Sequence, residues 1–291
     1  MHKTTITLAA LATAFCGYAQ AAVVTDNLVD NFPNANIVAS GNWASSTNGS
    51  QFDVSGDNDA VFLGATGSST TLTQAYTFGS GTGNNGVEAT VARGGGTQPS
   101  FSSVTGLDVS VELWARPTDL LGAETLFESG GSGAGYTIAL NGSTLVAFAK
   151  EGSAAEPQTI LKTTLSAPMI NDFVQIVFTS SGTGTADLYV NGQSVATDVT
   201  AASSIFGTDR ATLGGARNPG GGGAGADLDV ATTTYNNSQF FGEIGLFRFY
   251  DDVLTAAEVA DNYAAVAAIP EPTSVAAVGL LGLQLLRRRR V

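Results

Sequence analysis

The sequence has a single cysteine, Cys16, and a single histidine, His2, both inside its first 16 residues. Everything beyond them lacks a disulfide, a thiolate metal site, a cysteine nucleophile, a His-dependent triad and a His-ligated zinc site. Basic residues are scarce too: 12 Lys and Arg stand against 25 Asp and Glu in 291 residues, a net charge of −13. Lys3, Arg287, Arg288, Arg289 and Arg290 hold five of the twelve at the two ends, and Glu271 is the one acid outside residues 22–269. That body therefore carries 7 basic and 24 acidic residues, a net −17. Phosphate backbones repel such a surface, which sets nucleic-acid binding aside, whereas divalent cations are attracted. Proline is sparse at 8 residues, while the 36 glycines are too few for collagen and too many for long helices. Short strands joined by Gly, Ser, Thr and Asn turns fit this composition.

Both ends have the layout of targeting segments. Lys3 supplies a positive start, residues 6–15 are mostly apolar, and Ala19-Gln20-Ala21 offers signal peptidase a small-x-small site before Ala22. Residues 1–21 are thus expected to be a secretory signal peptide. Phe15 is bulky where lipidation of Cys16 requires a small neighbour. At the other end Pro270, Glu271 and Pro272 precede a stretch, 273–286, that is apolar or small apart from Thr273, Ser274 and Gln284. Fourteen helical residues reach about 21 Å, short of the ~30 Å hydrocarbon core, so the stretch is a marginal transmembrane helix. The arginines at 287–290 close it and are expected on the cytoplasmic side. This tail closely resembles the bacterial PEP-CTERM sorting signal. The resemblance implies recognition by an exosortase, cleavage near the triplet, and export to the cell surface or extracellular matrix of a Gram-negative-type bacterium. The division expected is a leader (1–21), one domain (22–269) and a sorting signal (270–291).

Up to about residue 106 the sequence parses poorly, with a strand hinted at near 70–78 by two-residue periodicity. Past Leu107 the signals sharpen. Val109, Val111 and Leu113 alternate with Ser110, Glu112 and Trp114 in a strand that ends at Pro117. A short strand at 125–128 ends in a Gly-rich turn. Segments 136–140 and 143–149 flank Asn141-Gly142, and 187–190 and 193–196 flank Asn191-Gly192; both pairs predict hairpins, the first with a type I′ turn. Segments 173–179, 211–213 and 240–250 add strands. One helix is marked by Thr255 and Glu258 as a capping box, by Val259, Tyr263 and Val266 on one face, and by Pro270 as its end. It is expected to pack at the edge of a two-sheet sandwich.

The ordered pieces Val109 to Pro117, Thr125 to Gly130, Phe173 to Phe178, Leu188 to Gln193, and Gly242 to Tyr250 followed by Leu254 to Val259 resemble a laminin-G-like or concanavalin-A-like jelly roll. The resemblance covers roughly 105–263 and implies an all-β, two-sheet antiparallel jelly-roll sandwich, with the earlier residues supplying its opening strands. Gly245 departs from the family, which usually has an acidic residue there.

Such a fold can be enzyme or binding module. Glycoside hydrolysis requires two carboxylates across the scissile bond. Glu112 has no acidic neighbour at 110 or 114, Glu243 has none at 241, 245 or 247, and Asp227 with Asp229 adjoins the Gly-rich run 220–225. A non-catalytic protein is expected. Calcium wants several hard oxygens, and two clusters offer them, Asp53, Asp57, Asn58 and Asp59, and Asp227 with Asp229; the alternative for both is a solvated turn. Asp57, Asp59, Asp227 and Asp229 are the candidate ligands. Carbohydrate recognition needs an exposed aromatic platform, and Trp43, Tyr76 and Tyr235 are the aromatics least obviously buried. Trp43 and Tyr235 are the candidate contacts, although a strand could bury Trp43. Trp114 falls on the opposite sheet face from Val111 and Leu113, where a helix could cover it. The expectation is an exported surface or matrix protein that binds or adheres to a polysaccharide or another matrix component. The alternatives are a purely structural matrix component and a polysaccharide-degrading enzyme on the same fold.

Overall fold

The computed structural model describes residues 21–37, 42–47, 50–53, 61–63, 70–78, 89–90, 108–118, 120, 122–131, 134–150, 159–166, 169–170, 172–201, 211–215, 229–230, 233–234 and 240–267. Two eight-stranded antiparallel sheets face each other. The first contains β1 (Leu28–Phe32), β4 (Val61–Leu63), β5 (Ala75–Phe78), β7 (Val109–Pro117), β12 (Val174–Ser180), β13 (Ala186–Val190), β14 (Gln193–Asp198) and β18 (Gly242–Tyr250). Its order is β14-β13-β12-β7-β18-β5-β4, with β1 also on β18. The second contains β2 (Asn42–Ala44), β3 (Gln51–Asp53), β6 (Ala89–Thr90), β8 (Ala123–Gly131), β9 (Ala134–Asn141), β10 (Thr144–Lys150), β11 (Thr159–Thr164) and β15 (Ala211–Leu213). It runs β11-β10-β9-β8-β15-β6-β3-β2. A two-stranded ribbon pairs β16 (Asp229–Val230) with β17 (Thr233–Thr234), and one α-helix, α1 (Ala256–Ala267), follows β18.

Alternation fills the space between the sheets. Val111, Leu113 and Ala115 of β7, Ile176 and Phe178 of β12, and Phe247 and Phe249 of β18 meet Leu126, Phe127, Ile138, Leu140 and Leu145 in one buried cluster. Each such large side chain contributes roughly 1.5–3 kcal/mol by leaving water. The early strands, short and hard to read in sequence, bring Phe32, Trp43, Phe52 and Tyr76 into the same cluster, with neighbouring rings such as Phe32 and Phe52 4.6 Å apart.

The two Asn-Gly hairpins turn differently. In the second, Asn191 and Gly192 both have positive φ, 49° and 77°, as the two central residues of a type I′ turn. In the first, Asn141 pairs directly with Thr144, so the loop moves one residue on to Gly142-Ser143. Only Gly142 has positive φ there, 56°, which is the type II′ pattern rather than the expected I′.

Gly245 sits at an irregularity in β18. The pairing of β18 with β7 slips between Ile244 and Leu246, so Ile244 and Phe247 face the core while Leu246 joins the outer face. This bulge also divides the strand's other edge, where residues 242–244 pair with β5 and residues 247–250 with β1. A Cβ at Gly245 would lie 3.1 Å from the Gln74 carbonyl oxygen.

The helix begins as expected. The Thr255 hydroxyl accepts from the Glu258 N–H at 3.3 Å, and the Glu258 carboxylate accepts from the Thr255 N–H at 2.8 Å. The helix lies over the outer face of the first sheet and reaches that sheet's edge strand, β14. That face carries Trp114, Val177, Tyr189 and Leu246, and Val259, Tyr263 and Val266 cover them. Exposed, those side chains would forfeit the burial that the helix supplies.

Candidate functional site

Beneath α1 lies a buried polar cluster centred on Glu112, which is fully buried. Its Oε1 accepts from Trp114 Nε1 at 2.9 Å and Gln175 Nε2 at 2.9 Å. Its Oε2 accepts from Asn262 Nδ2 at 3.0 Å and Arg248 Nη1 at 3.2 Å. Asn262 Oδ1 in turn accepts from the Val24 N–H at 2.8 Å, tying the helix to both the sheet and the start of the domain. With no exposure and four side chains donating to it, this carboxylate holds the helix down and has no face open to a substrate. Burial pushes the Tyr250 hydroxyl upward from its ordinary pKa of 10.0, and the neighbouring Glu112 charge adds to that rise.

Beside the cluster the same face opens into a recess of about 230 Å³. Its wall includes Trp114 and Tyr263, whose rings stack 5.8 Å apart and 5° from parallel, together with Asp172, Asn191, Ser166 and Met169. The I′ turn builds one side. Asn191 Oδ1 accepts from the Gln175 N–H at 2.9 Å, and the Gly192 N–H donates to Gln175 Oε1 at 2.9 Å. A Cβ at Gly192 would lie 3.2 Å from that of Tyr263, so glycine lets the turn close against the helix. Asp172 Oδ1 accepts from the Phe173 N–H at 2.8 Å. The described lining combines a half-buried aromatic ring, a carboxylate, an amide and a hydroxyl, and the Arg116 guanidinium lies over the ring of its Phe173, 5.2 Å from the centroid.

Trp43, one of the residues expected to bind ligand, falls in the core. Trp43 is 1% exposed, packed among Phe32, Phe52 and Tyr76, and its Nε1 donates to the Pro33 carbonyl at 3.0 Å. It is a core residue with no face for a sugar, because β2 pairs with β3 and turns the indole inward. Tyr76 is buried with it. Tyr235, Asp57, Asp59 and Asp227 lie outside the described residues, and Asp229 is described only as backbone in β16, opposite Thr234. Among the described residues no three His, Cys, Asp or Glu side chains gather as a metal site. Pro270, Glu271, Pro272 and the arginines at 287–290 also lie outside, as do residues 1–20. Among the described residues no helix is long and apolar enough to cross a membrane.

Carboxylate pairs suited to glycoside hydrolysis do not assemble among the described residues. Glu112 is engaged as above, and Glu243 forms an ion pair with Arg116. Glu124 and Glu128 stand four apart on β8, a spacing that straight strand geometry would put on one face. The bulge between Thr125 and Phe127 separates them, leaving Glu124 opposite the core residue Leu140 and Glu128 opposite Thr137. Thr137 neighbours Phe148, which lies in a separate cluster outside the core. The recess, by contrast, combines residues 114, 166, 169, 172, 191 and 263, distant in sequence and joined only by the fold. The Asn-Gly turn and the helix stripe were its two legible parts.

A sequence model described as the concanavalin A-like lectin/glucanases superfamily matches residues 92–260. None of the curated proteins matches the chain in sequence. Among solved structures the chain is similar to the botulinum neurotoxin type G receptor binding domain, at 15% identity and a TM-score of 0.55, over 81% of this chain and 51% of that one. It is also similar, at 15% identity and a TM-score of 0.56, to a botulinum neurotoxin type C structure, over 82% of this chain and 51% of that one; cell entry of that toxin is dependent upon interaction with two ganglioside molecules. A third likeness is the binding domain of botulinum neurotoxin DC in complex with rat synaptotagmin II, at 13% identity and a TM-score of 0.51, over 82% of this chain and 52% of that one. The chain spans about half the length of these solved structures, and at such identities the likeness concerns the fold.

Proposed function

The chain belongs to the concanavalin A-like lectin/glucanases superfamily, and from that premise we propose that it is an exported, non-catalytic binding protein of the cell surface or extracellular matrix, with a carbohydrate as its ligand. The observation that carries this reading is the pairing of a filled sandwich with an open recess. The space between the sheets is packed with side chains and the central acids are tied to protein donors, whereas the outer face offers an aromatic ring beside polar groups. That combination suits binding of a polar ring, and among the described residues it includes no facing pair of acids for its hydrolysis. The ganglioside and synaptotagmin partners of the similar neurotoxin domains are consistent with a binding role on this architecture.

In this proposal signal peptidase removes residues 1–21, an exosortase acts near Pro270-Glu271-Pro272, and the tail is membrane-inserted only until then. Calcium held by Asp57 and Asp59, or by Asp227 and Asp229, is the cofactor proposed. A glycan array probed with the purified chain, in Ca²⁺ and in chelator, tests the binding, with retention of a defined glycan subset expected. Silence across the array together with self-association would favour a purely structural matrix component. Intact mass of the exported protein tests the processing, with ends near 22 and 270 expected.

A further inference from the structure

We propose that Asn191-Gly192 is a self-modification site, competent to close into a succinimide, and that Gln175 holds it shut. The claim is independent of what the protein binds. The turn itself creates the hazard. Its backbone needs positive φ at both central residues, 49° and 77°, which selects Asn followed by Gly. Glycine has no side chain to crowd an attack by its own nitrogen. In that attack the Gly192 nitrogen gives up its proton and bonds to Asn191 Cγ. The side-chain nitrogen leaves as ammonia with that proton, and a five-membered imide remains. Water then opens the imide at either carbonyl, leaving aspartate or isoaspartate in the turn.

Gln175 engages both reacting groups. The Gly192 N–H, whose proton must leave, donates to Gln175 Oε1 at 2.9 Å. Asn191 Oδ1 accepts from the Gln175 N–H at 2.9 Å, so the amide bearing the electrophilic carbon turns toward Gly192 only by breaking that bond. The Asn191 N–H donates to the Gln175 carbonyl at 3.0 Å and fixes the backbone of the same residue. Gln175 is itself fully buried, and its Nε2 donates to Glu112 Oε1 at 2.9 Å. That bond determines which end of the Gln175 amide faces the turn.

The helix adds a second barrier. Gly192 is buried, and a Cβ there would lie 3.2 Å from Tyr263 Cβ and 3.4 Å from Ala260 Cα. Base and water therefore reach the attacking nitrogen when α1 lifts locally. Either product would undo the clamp, since the amide becomes a carboxylate and isoaspartate also lengthens the main chain by one carbon. The damage would pass through Gln175 to the Glu112 cluster beneath α1. Asn141-Gly142, in the second sheet, is the internal reference, with its Gly142 N–H donating to the Gly122 carbonyl at 2.7 Å.

Peptide mapping by mass spectrometry tests this on the full chain aged in mildly alkaline buffer, with and without urea, reading amide-to-acid conversion and isoaspartate at 191 and 141. Conversion at 191 is expected to be at least about tenfold slower in the folded chain than in urea. Gln175→Met removes the side-chain acceptor and should speed conversion at 191 by about tenfold or more, with 141 unchanged. Phe127→Leu, a loss in the core away from the turn, controls for stability and should leave 191 slow. If Gln175→Met does not fold, the comparison of folded and urea-unfolded wild type still decides whether the site is held shut. Folded wild type converting at 191 as fast as in urea, or no conversion in urea, overturns the proposal. Gln175→Met converting no faster than wild type, or Phe127→Leu converting as fast as Gln175→Met, overturns the role given to Gln175.

Discussion

Replacing Glu112 by Gln perturbs the fold at its most committed polar point. The side chain keeps its shape, but one oxygen becomes an NH2 group among four donating side chains, Arg248, Trp114, Gln175 and Asn262. Arg248 donates to both oxygens, at 3.3 and 3.2 Å, so either orientation of the new amide sets a donor against the guanidinium. Arg248 is also 4% exposed and loses its counter-charge. Breaking a buried pair in this way costs about 3–5 kcal/mol. For a domain of this size that corresponds to a fall in melting temperature of about 6–20 °C. Urea unfolding followed by tryptophan emission is the assay, since Trp114 donates to this carboxylate and Trp43 reports the core. Arg248→Met completes a double-mutant cycle, and the double variant is expected to cost less than the two single losses combined. A loss below about 1 kcal/mol for Glu112→Gln, or strict additivity, would refute the idea that this cluster pins the helix.

Three further outcomes are expected. Thr255→Ala removes the capping hydroxyl of α1 and should cost about 1 kcal/mol in the same unfolding assay, with no change in the array pattern. Gly214→Ala should cost more than about 3 kcal/mol, or prevent folding, because the added Cβ would lie 2.0 Å from the Phe78 ring at a backbone φ of +71°. Stability should hold below about pH 10 and fall above it. Burial raises the pKa of Tyr136 and Tyr250 from 10.0, so the unfolded chain releases phenolic protons that the folded chain keeps. The slope is up to about 1.4 kcal/mol per pH unit per tyrosine. Tyr136→Phe and Tyr250→Phe should each flatten it in urea titrations between pH 9 and 11, and an unchanged slope would count against the burial argument.

The later strands were legible because their alternation is regular and their turns are marked. Val109–Pro117 and Ala211–Leu213 have the predicted bounds, and Thr255 with Glu258 starts the helix as read. The opening strands were not, since pieces such as Asn42–Ala44 and Ala89–Thr90 are too short to show a period. Trp43 illustrates the consequence: flanked by polar residues it resembles a loop aromatic, and only the pairing of β2 with β3 reveals it as core. The sequence shows the helix's apolar stripe but not which side chains it covers. Trp114, Val177, Tyr189 and Leu246 come to it from strands spread across the sheet. For the candidate site, Asn191-Gly192 and Tyr263 were visible as a turn and a helix position. Their convergence with Asp172 and Ser166 depends on tertiary packing that no local pattern encodes.

The central claim, binding without turnover, is most directly tested by incubating the purified chain with a panel of extracellular polysaccharides and measuring retained protein and newly formed reducing ends together. The account predicts retention by at least one polysaccharide with no increase in reducing ends over buffer. Release of reducing ends, or retention by none of the panel, would contradict it.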